Sequence, residues 1–270
     1  MTKSRSILGL SFVILTISLC ATFLGLISTT NAQTLVKPEA LLAGDLIRGE
    51  SYSAVYYYGT DGFRYVFPND KTYFTWYQNF DTVKWVSDAD LSSIQIGGNV
   101  TYKPGIRMIK INSDPKVYAV GAGGSLRFVN GEAVALGLYG SNWNKMIDDV
   151  PDGFFSNYKM SSSIEIATSF SASGEKASAV SINVDKGLKA ATVVTITSSG
   201  YSPASVTVKA GTVVQFMNSD SAKHSASGDD QKWGTGTLNA GQKFSRYFKN
   251  AGLYTFHDAY GTATGTVIVE

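Results

Sequence analysis

The sequence predicts a two-domain chain: an N-terminal α+β domain built from two β-hairpin-plus-helix repeats, and a C-terminal all-β sandwich. Three observations carry this reading. The region from Ala43 to Tyr158 repeats itself at an offset of 62 to 63 residues. Roughly the last 80 residues read as short strands parted by turns at regular spacing. A Ser/Ala-rich segment separates the two textures. The 270 residues have room for two ordinary cores, and 12% aromatic residues, 27 glycines and only 16% charged residues belong to a strand-rich globular chain.

Residues 1–32 read as an export segment. Lys3 and Arg5 precede an uncharged apolar run from Ile7 to Ile27, and the polar "STTNAQ" follows, with Thr30 and Ala32 at the minus-three and minus-one positions of a cleavage site. The run is 21 residues, about enough to span a bilayer, so two readings stand, a cleaved signal peptide or a membrane anchor. Both place the rest outside the cytoplasm, secreted or held at the membrane only through this segment. Cys20 is the chain's one cysteine, and Leu19 before it is too large for a lipoprotein site. Cleavage removes it, which excludes disulfides and cysteine-ligated metals from the exported part. Cleavage also takes Lys3 and Arg5 from the 23 basic residues and none of the 21 acidic ones, leaving a formally neutral chain. No nucleic-acid partner is expected, because such binding rests on counterion release by a basic surface.

The repeat domain is expected over residues 41–160, with units at about 43–102 and 103–160. "VYYYGTDGFRYVF" from Val55 lies beside "VYAVGAGGSLRFV" from Val117, so that Val55, Tyr56, Gly59 and Gly62 match Val117, Tyr118, Gly121 and Gly124. One inserted residue then aligns Arg64, Tyr65 and Val66 with Arg127, Phe128 and Val129, and Phe80 pairs with Trp143. In each unit two short β-rich runs flank a glycine turn of hairpin type. A helical stretch follows, "NDKTYFTWYQNF" with Asn69 as N-cap or "GEAVALGLYGSNW", and then an acidic turn, "VSDADL" or "DVPDGF". Neither unit is large enough alone, so the copies are expected to share one core.

Residues 161–190 carry eight serines between Ser161 and Ser181 and read as a flexible, exposed Ser/Ala-rich linker. From 191 to 270 the alternating runs "ATVVTITSSG", "SPASVTVKAG", "TVVQFMNSD", "QKFSRYFKNAG", "YTFHD" and "GTVIVE" predict the sandwich.

Within that sandwich, Val193 to Glu270 resembles the cupredoxins, the Greek-key family of blue-copper proteins. The resemblance rests on "GYSPASVTVKAGTVVQFMNSD" with Pro203, Gly211 and Asn218, then His224, "LNAGQKFSRYF", and "GLYTF" leading to "GTVIVE". It implies a Greek-key cupredoxin-like sandwich. In the family a histidine follows the strand that ends near Asn218, and a Cys, a second His and usually a Met lie before the last strand. His224 matches the first position. Asp258 stands in the place of the cysteine, and Tyr260 to Ala263 supply neither His nor Met. A carboxylate cannot replace the thiolate that makes copper blue. The sequence is also similar to envelope variants with Tyr-His-Asp-His at this point, having Phe256, His257, Asp258 and then Ala259.

The expectation that follows is an exported cupredoxin-fold protein of the cell envelope that binds Cu(II), or zinc, at a non-blue site of His224, His257 and Asp258. Asp220, Asp229 and Asp230 flank His224 and are candidates for a further carboxylate or a supporting partner. Strand alternation argues against the set by turning His257 away from Asp258, unless a bulge restores it. The alternative is a metal-free structural or adhesive envelope protein whose aromatic repeats bind wall polymer or envelope protein. Thirteen aromatic residues lie between Tyr52 and Trp85, and they serve either a sugar-stacking surface or the core. This repeat resembles one of secreted bacterial proteins with no known activity. Blue-copper electron transfer needs the absent cysteine. No enzyme is expected: "GAGGS" lacks the lysine of a phosphate loop, Asp148 and Asp149 have no nucleophile beside them, and two histidines with no thiol assemble no catalytic triad in the repeats.

Overall fold

The computed structural model describes residues 34–270, and the export segment expected over 1–32 lies outside the described residues. Among the described residues no helix is long and apolar enough to cross a membrane.

The first copy begins with β1 (Leu46–Arg48), β2 (Tyr56–Tyr58) and β3 (Arg64–Val66), then helix α1 (Asp70–Trp76), β4 (Val83–Trp85), α2 (Asp88–Ser93) and β5 (Ile96–Asn99). The second runs β6 (Met108–Ile111), β7 (Asp114–Gly121), β8 (Ser125–Phe128), α3 (Glu132–Tyr139), β9 (Ile147–Asp149), α4 (Asp152–Phe155) and β10 (Lys159–Met160). The sheets have one topology: β4-β1-β2-β3-β5 in the first and β9-β6-β7-β8-β10 in the second. Asn69 caps α1 as its position predicts, its side chain accepting from Thr72 N at 2.8 Å.

Three expectations are corrected. The alignment needs no insertion in the hairpin, because Tyr56 faces Val66 and Tyr118 faces Phe128, which keeps the offset at 62. The acidic turns are a short strand followed by a helix turn, with Ser87 accepting from Asp90 N at 3.1 Å. The copies do not share a core. Strand alternation gives each sheet two apolar faces. In the first, Leu46, Tyr57 and Tyr65 join Tyr73 of α1, while Ile47 and Tyr58 join Leu91 of α2. In the second, Met108 and Ala119 join Val134 of α3, and Ile109 and Tyr118 pack with Phe154 and Phe155. Each sheet is thus covered on both sides by its own helices. The copies meet through polar contacts such as Asn99 Nδ2 donating to Asn157 Oδ1 at 2.9 Å.

The segment expected to be a flexible linker is folded. It forms α5 (Ala172–Ser178) and α6 (Ile182–Asp185), and Ile164, Phe170, Ala179 and Ile182 are buried. Ile164 and Phe170 complete the second copy's core, and Ile182 that of the first. The serines that looked like linker composition include helix caps: Ser171 accepts from Gly174 N and Ser181 from Val184 N.

The sandwich contains β11 (Thr192–Thr197), β12 (Gly200–Ser202), β13 (Ser205–Val208), β14 (Thr212–Asn218), β15 (Ser227–Gly228), β16 (Lys243–Phe248), β17 (Gly252–His257) and β18 (Thr264–Val269). Its sheets run β12-β11-β14-β16 and β13-β18-β17-β15, with Phe216, Trp233, Phe248 and Phe256 among the residues packed between them. The outer side of β14 and β16 lies on the first repeat. Val213 enters the repeat's core, Phe63 stacks on Tyr247 with centroids 5.0 Å apart, and Gln215 Nε2 donates to Tyr58 Oη at 3.3 Å and to Ser245 Oγ at 3.0 Å. Asp61, almost fully buried, accepts from Tyr65 Oη at 2.6 Å and Tyr247 Oη at 3.1 Å, one partner from each side. Gly62 makes this approach possible: it has φ of +78°, and a Cβ there would overlap the Gln215 amide. Gly62→Ala is therefore expected to destabilise the protein by about 2 kcal/mol through backbone strain and overpacking. Chemical denaturation measures this, and an unchanged midpoint would show that the contact contributes nothing.

Candidate metal position at the loop end of the sandwich

The site is set by alternation along β17 and by the loop that leaves β14. Phe256 is buried at 1% exposure and Asp258 at 2%, whereas His257 between them faces solvent. Asp258 N donates to Ala263 O at 2.9 Å, which closes the short loop before β18 and fixes the carboxylate. On the other side, Asn218 ends β14 fully buried. Its Nδ2 donates to Ala222 O and Leu238 O, both at 2.8 Å, while its Oδ1 accepts from Asp220 N at 2.9 Å. This Asx turn folds residues 218–224 back so that Asp220 and His224 converge. His224 is held by a two-bond bridge to Leu238, N to O at 3.1 Å and O from N at 2.8 Å.

Asp258 Oδ2 lies 2.6 Å from His224 Nδ1, and Asp220 Oδ2 lies 3.0 Å from His224 Nε2. Asp258 Oδ1 also accepts from Ser225 N at 2.9 Å and Tyr260 N at 3.1 Å. The result is an imidazole clamped between two carboxylates, with the inner one meeting a lattice of backbone donors. The hydrogen bond to Asp220, and then that to Asp258, holds the His224 pKa above the usual histidine value against the opposing effect of burial. Burial pushes the Asp258 carboxyl up, but His224 and the Tyr260 and Ser225 amides outweigh it and leave the group below the usual range. Asp220 is also lowered, first by its bond with His224. The three shifts reinforce one another: the two carboxylates favour the protonated ring, which in that form donates from both nitrogens.

His224 and Asp258 are thus brought together, while His257 points the other way. Its Nδ1 sits 2.6 Å from Asp229 Oδ1, both side chains about half exposed. The expected trio of His224, His257 and Asp258 is not assembled, because no bulge interrupts the alternation of β17. Among the described residues no group of three or more His, Cys, Asp or Glu is arranged to hold a metal ion. The donor chemistry agrees. A copper ligand needs an imidazole lone pair, both ring nitrogens of His224 are committed to carboxylates, and among the described residues there is no thiolate for a blue centre. As arranged, the residues do not fit copper. Asn218 and Ser225 were not singled out as site residues, although "NSDSAKH" carries the Asx-turn pattern that positions the histidine.

The model of the cupredoxin-like domain family matches residues 166–269, and the strands of that region, from Thr192 on, form a cupredoxin-like β-sandwich. Similar solved structures include a purple cupredoxin from Nitrosopumilus maritimus, 26% identical, covering 29% of this chain and 99% of its own, with a TM-score of 0.28. A mutant of amicyanin in its Cu(I) form is 29% identical, covering 30% of this chain and 82% of its own, with a TM-score of 0.27. A copper-containing nitrite reductase from Thermus scotoductus is 20% identical over 30% of this chain and 22% of its own, with a TM-score of 0.27. No curated protein matches the chain.

The clamp predicts a pH profile. The raised His224 contributes stability that is complete below the unfolded value of about 6.5 and is lost as pH rises through its folded value. The lowered carboxylates contribute stability that is complete above about 3.9 and is lost as pH falls through theirs. All three coincide between about pH 4 and 6.5. Urea denaturation at about pH 5.5 and about pH 9 is expected to show wild type losing more stability at the higher pH than His224→Gln does. Equal losses in both proteins would mean that the clamp adds nothing. Asp258→Ala, which strands a buried imidazolium, is expected to cost about 3 kcal/mol at pH 5.5 in the same assay.

Proposed function

We propose that the protein works outside the cytoplasm as a structural or adhesive envelope protein without catalytic activity, and that its cupredoxin-like sandwich is a metal-free scaffold for the repeats. The observation that carries this reading is the clamp on His224, with one carboxylate at each ring nitrogen. The ion pair does for the two loops what ligand bonds to a metal would otherwise do. The joined face of the sandwich supports the same reading, since Gln215, Ser245 and Tyr247 are committed to the first repeat. The charged, apolar and small-residue order of the N-terminal segment supports export.

A second reading, a non-blue copper protein with zinc as the alternative ion, is favoured by the cupredoxin-like family match and by the 3.0 Å separation of His224 Nε2 and Asp220 Oδ2. Two donor atoms that close can share one ion once the ring has lost its proton. Asp258 would then orient the imidazole from the other nitrogen. His257 has no part in it, and the missing thiolate leaves blue-copper electron transfer without its ligand.

Titration of the purified full-length protein with Cu(II) and with Zn(II), followed by EPR of any copper complex, separates the two. The scaffold reading expects no binding above that of surface carboxylates and no change in His224→Ala. Tight one-to-one binding with an ordinary Cu(II) spectrum, lost in His224→Ala and kept in His257→Ala, would establish the second reading instead.

A further inference from the structure

The two repeats carry equivalent clefts. Cross-strand register defines the correspondence: Phe67 N donates to Val55 O at 3.0 Å in the first copy, and Val129 N to Val117 O at 2.9 Å in the second. Between the hairpin and helix of the first copy lies a cleft of about 390 Å³, floored by Val55 and Phe67 and walled by Phe80. The second copy has a cleft of about 360 Å³ floored by Val117 and Val129, with Trp143 as its wall. An aromatic ring thus closes the same side of both. A packing fault would have no reason to recur at matching positions with the ring kept and its identity changed.

The rims also correspond. Asp70 and Glu132 stand at the first helical position of α1 and α3, line their clefts and are solvent-exposed. No basic side chain lines the first cleft, and Lys116 is the only one lining the second. Such a site disfavours an anionic ligand. It suits one that is uncharged, presents an apolar face to the ring, and donates hydrogen bonds to the rim carboxylate. In the first copy the cleft adjoins a second hollow of about 280 Å³ that shares Ser53, Val55 and Phe80 and is also lined by Arg48, whose guanidinium is taken up by the Trp85 ring at 4.0 Å from its centroid.

We propose that each repeat binds one unit of a neutral, N-acetylated glycan, so that a single chain grips a wall polymer at two points. The C–H face of a sugar ring lies on Phe80 or Trp143. The acetamido methyl enters the apolar floor, and the amide N–H or a hydroxyl donates to Asp70 or Glu132. Two sites of one build match a polymer with a repeating unit, and their linkage adds avidity without any new contact. This proposal rests on the adhesive reading above and names its ligand and sites.

The test uses the full-length protein, isothermal titration with the hexamer of N-acetylglucosamine, and co-sedimentation with isolated cell envelopes. Wild type is expected to bind the hexamer, Phe80→Ala and Trp143→Ala each to weaken binding by roughly tenfold, and the double variant to abolish it. Asp70→Asn and Glu132→Gln change exposed groups and leave the cores intact, and each is expected to weaken binding several-fold. Failure of wild type to bind the hexamer, or equal binding by the folded double variant or by both rim variants, overturns the proposal. In either of those outcomes, envelope co-sedimentation by wild type leaves the adhesive reading standing, and its loss brings down that reading too.

Discussion

Asp258 is a carboxylate buried at the end of a sandwich core, and a charge in that position must be paired or the fold loses several kcal/mol. Its partners come from three directions: the Ser225 amide, the Tyr260 amide and the His224 ring. Satisfying them fixes the loop after β14 and the loop before β18 at once. A cation brought inside to meet Asp258 must itself be balanced, and Asp220 does so from the solvent side at 3.0 Å. The arrangement carries one net negative charge near the surface and one neutral pair within, which is the distribution that desolvation favours. In this way an imidazole ring held between two carboxylates ties together loops that the resemblance assigns to a metal.

The same economy of partners governs the outer face of the β14 and β16 sheet. Gln215, Lys243 and Ser245 are polar residues at 7%, 8% and 2% exposure, an arrangement a lone sandwich would not tolerate. They are tolerated because the first repeat supplies partners. Gln95 Oε1 accepts from Ser245 N at 2.7 Å, Tyr58 Oη accepts from Gln215, and the Tyr58 ring lies 5.8 Å from Lys243 Nζ. Burial lowers the Lys243 pKa, as expected for an ammonium withdrawn from water. The sandwich and the first repeat are therefore interdependent, and the position of Gly62 between them leaves no room for a side chain.

Much of this was legible in the residues. The period-2 pattern of "YTFHD" placed Phe256 and Asp258 on one side and His257 on the other, and the structure follows it. Asn69 before an apolar run gave a helix start, and the strand cadence after 190 gave the sandwich. What was not legible depended on tertiary partners. Serine richness has the same composition whether the serines float in a linker or cap short helices, and only the burial of Ile164 and Ile182 separates the cases. The commitment of Asp220 to His224 required knowing that Asn218 would turn the loop back on itself. Nothing in the alternation of "TVVQFMNSD" and "QKFSRYFKNAG" shows that Gln215 and Ser245 are covered, because their partners Tyr58 and Gln95 lie more than a hundred residues earlier in the chain.

The aromatic excess of the first repeat divides along the same line. Tyr57 and Tyr73 are nearly inaccessible and fill a core whose counterparts in the second copy are Ala119 and Ala135. The difference follows from what each sheet packs against. The first is closed by thin partners, Ile182 and Val213, and its own large rings fill the space. The second receives Phe170 and Ile164 from outside and makes do with alanines. Packing accounts for those tyrosines and for nothing on the outside. Tyr52, Phe74 and Phe80 are 76%, 49% and 48% exposed, and no core requires them. Phe80 stacks on Tyr73 at 4.4 Å, so the buried ring supports the exposed one from behind. An aromatic plane held rigid from one side and open on the other has lost its rotational freedom before any ligand arrives, which removes part of the entropic cost of binding.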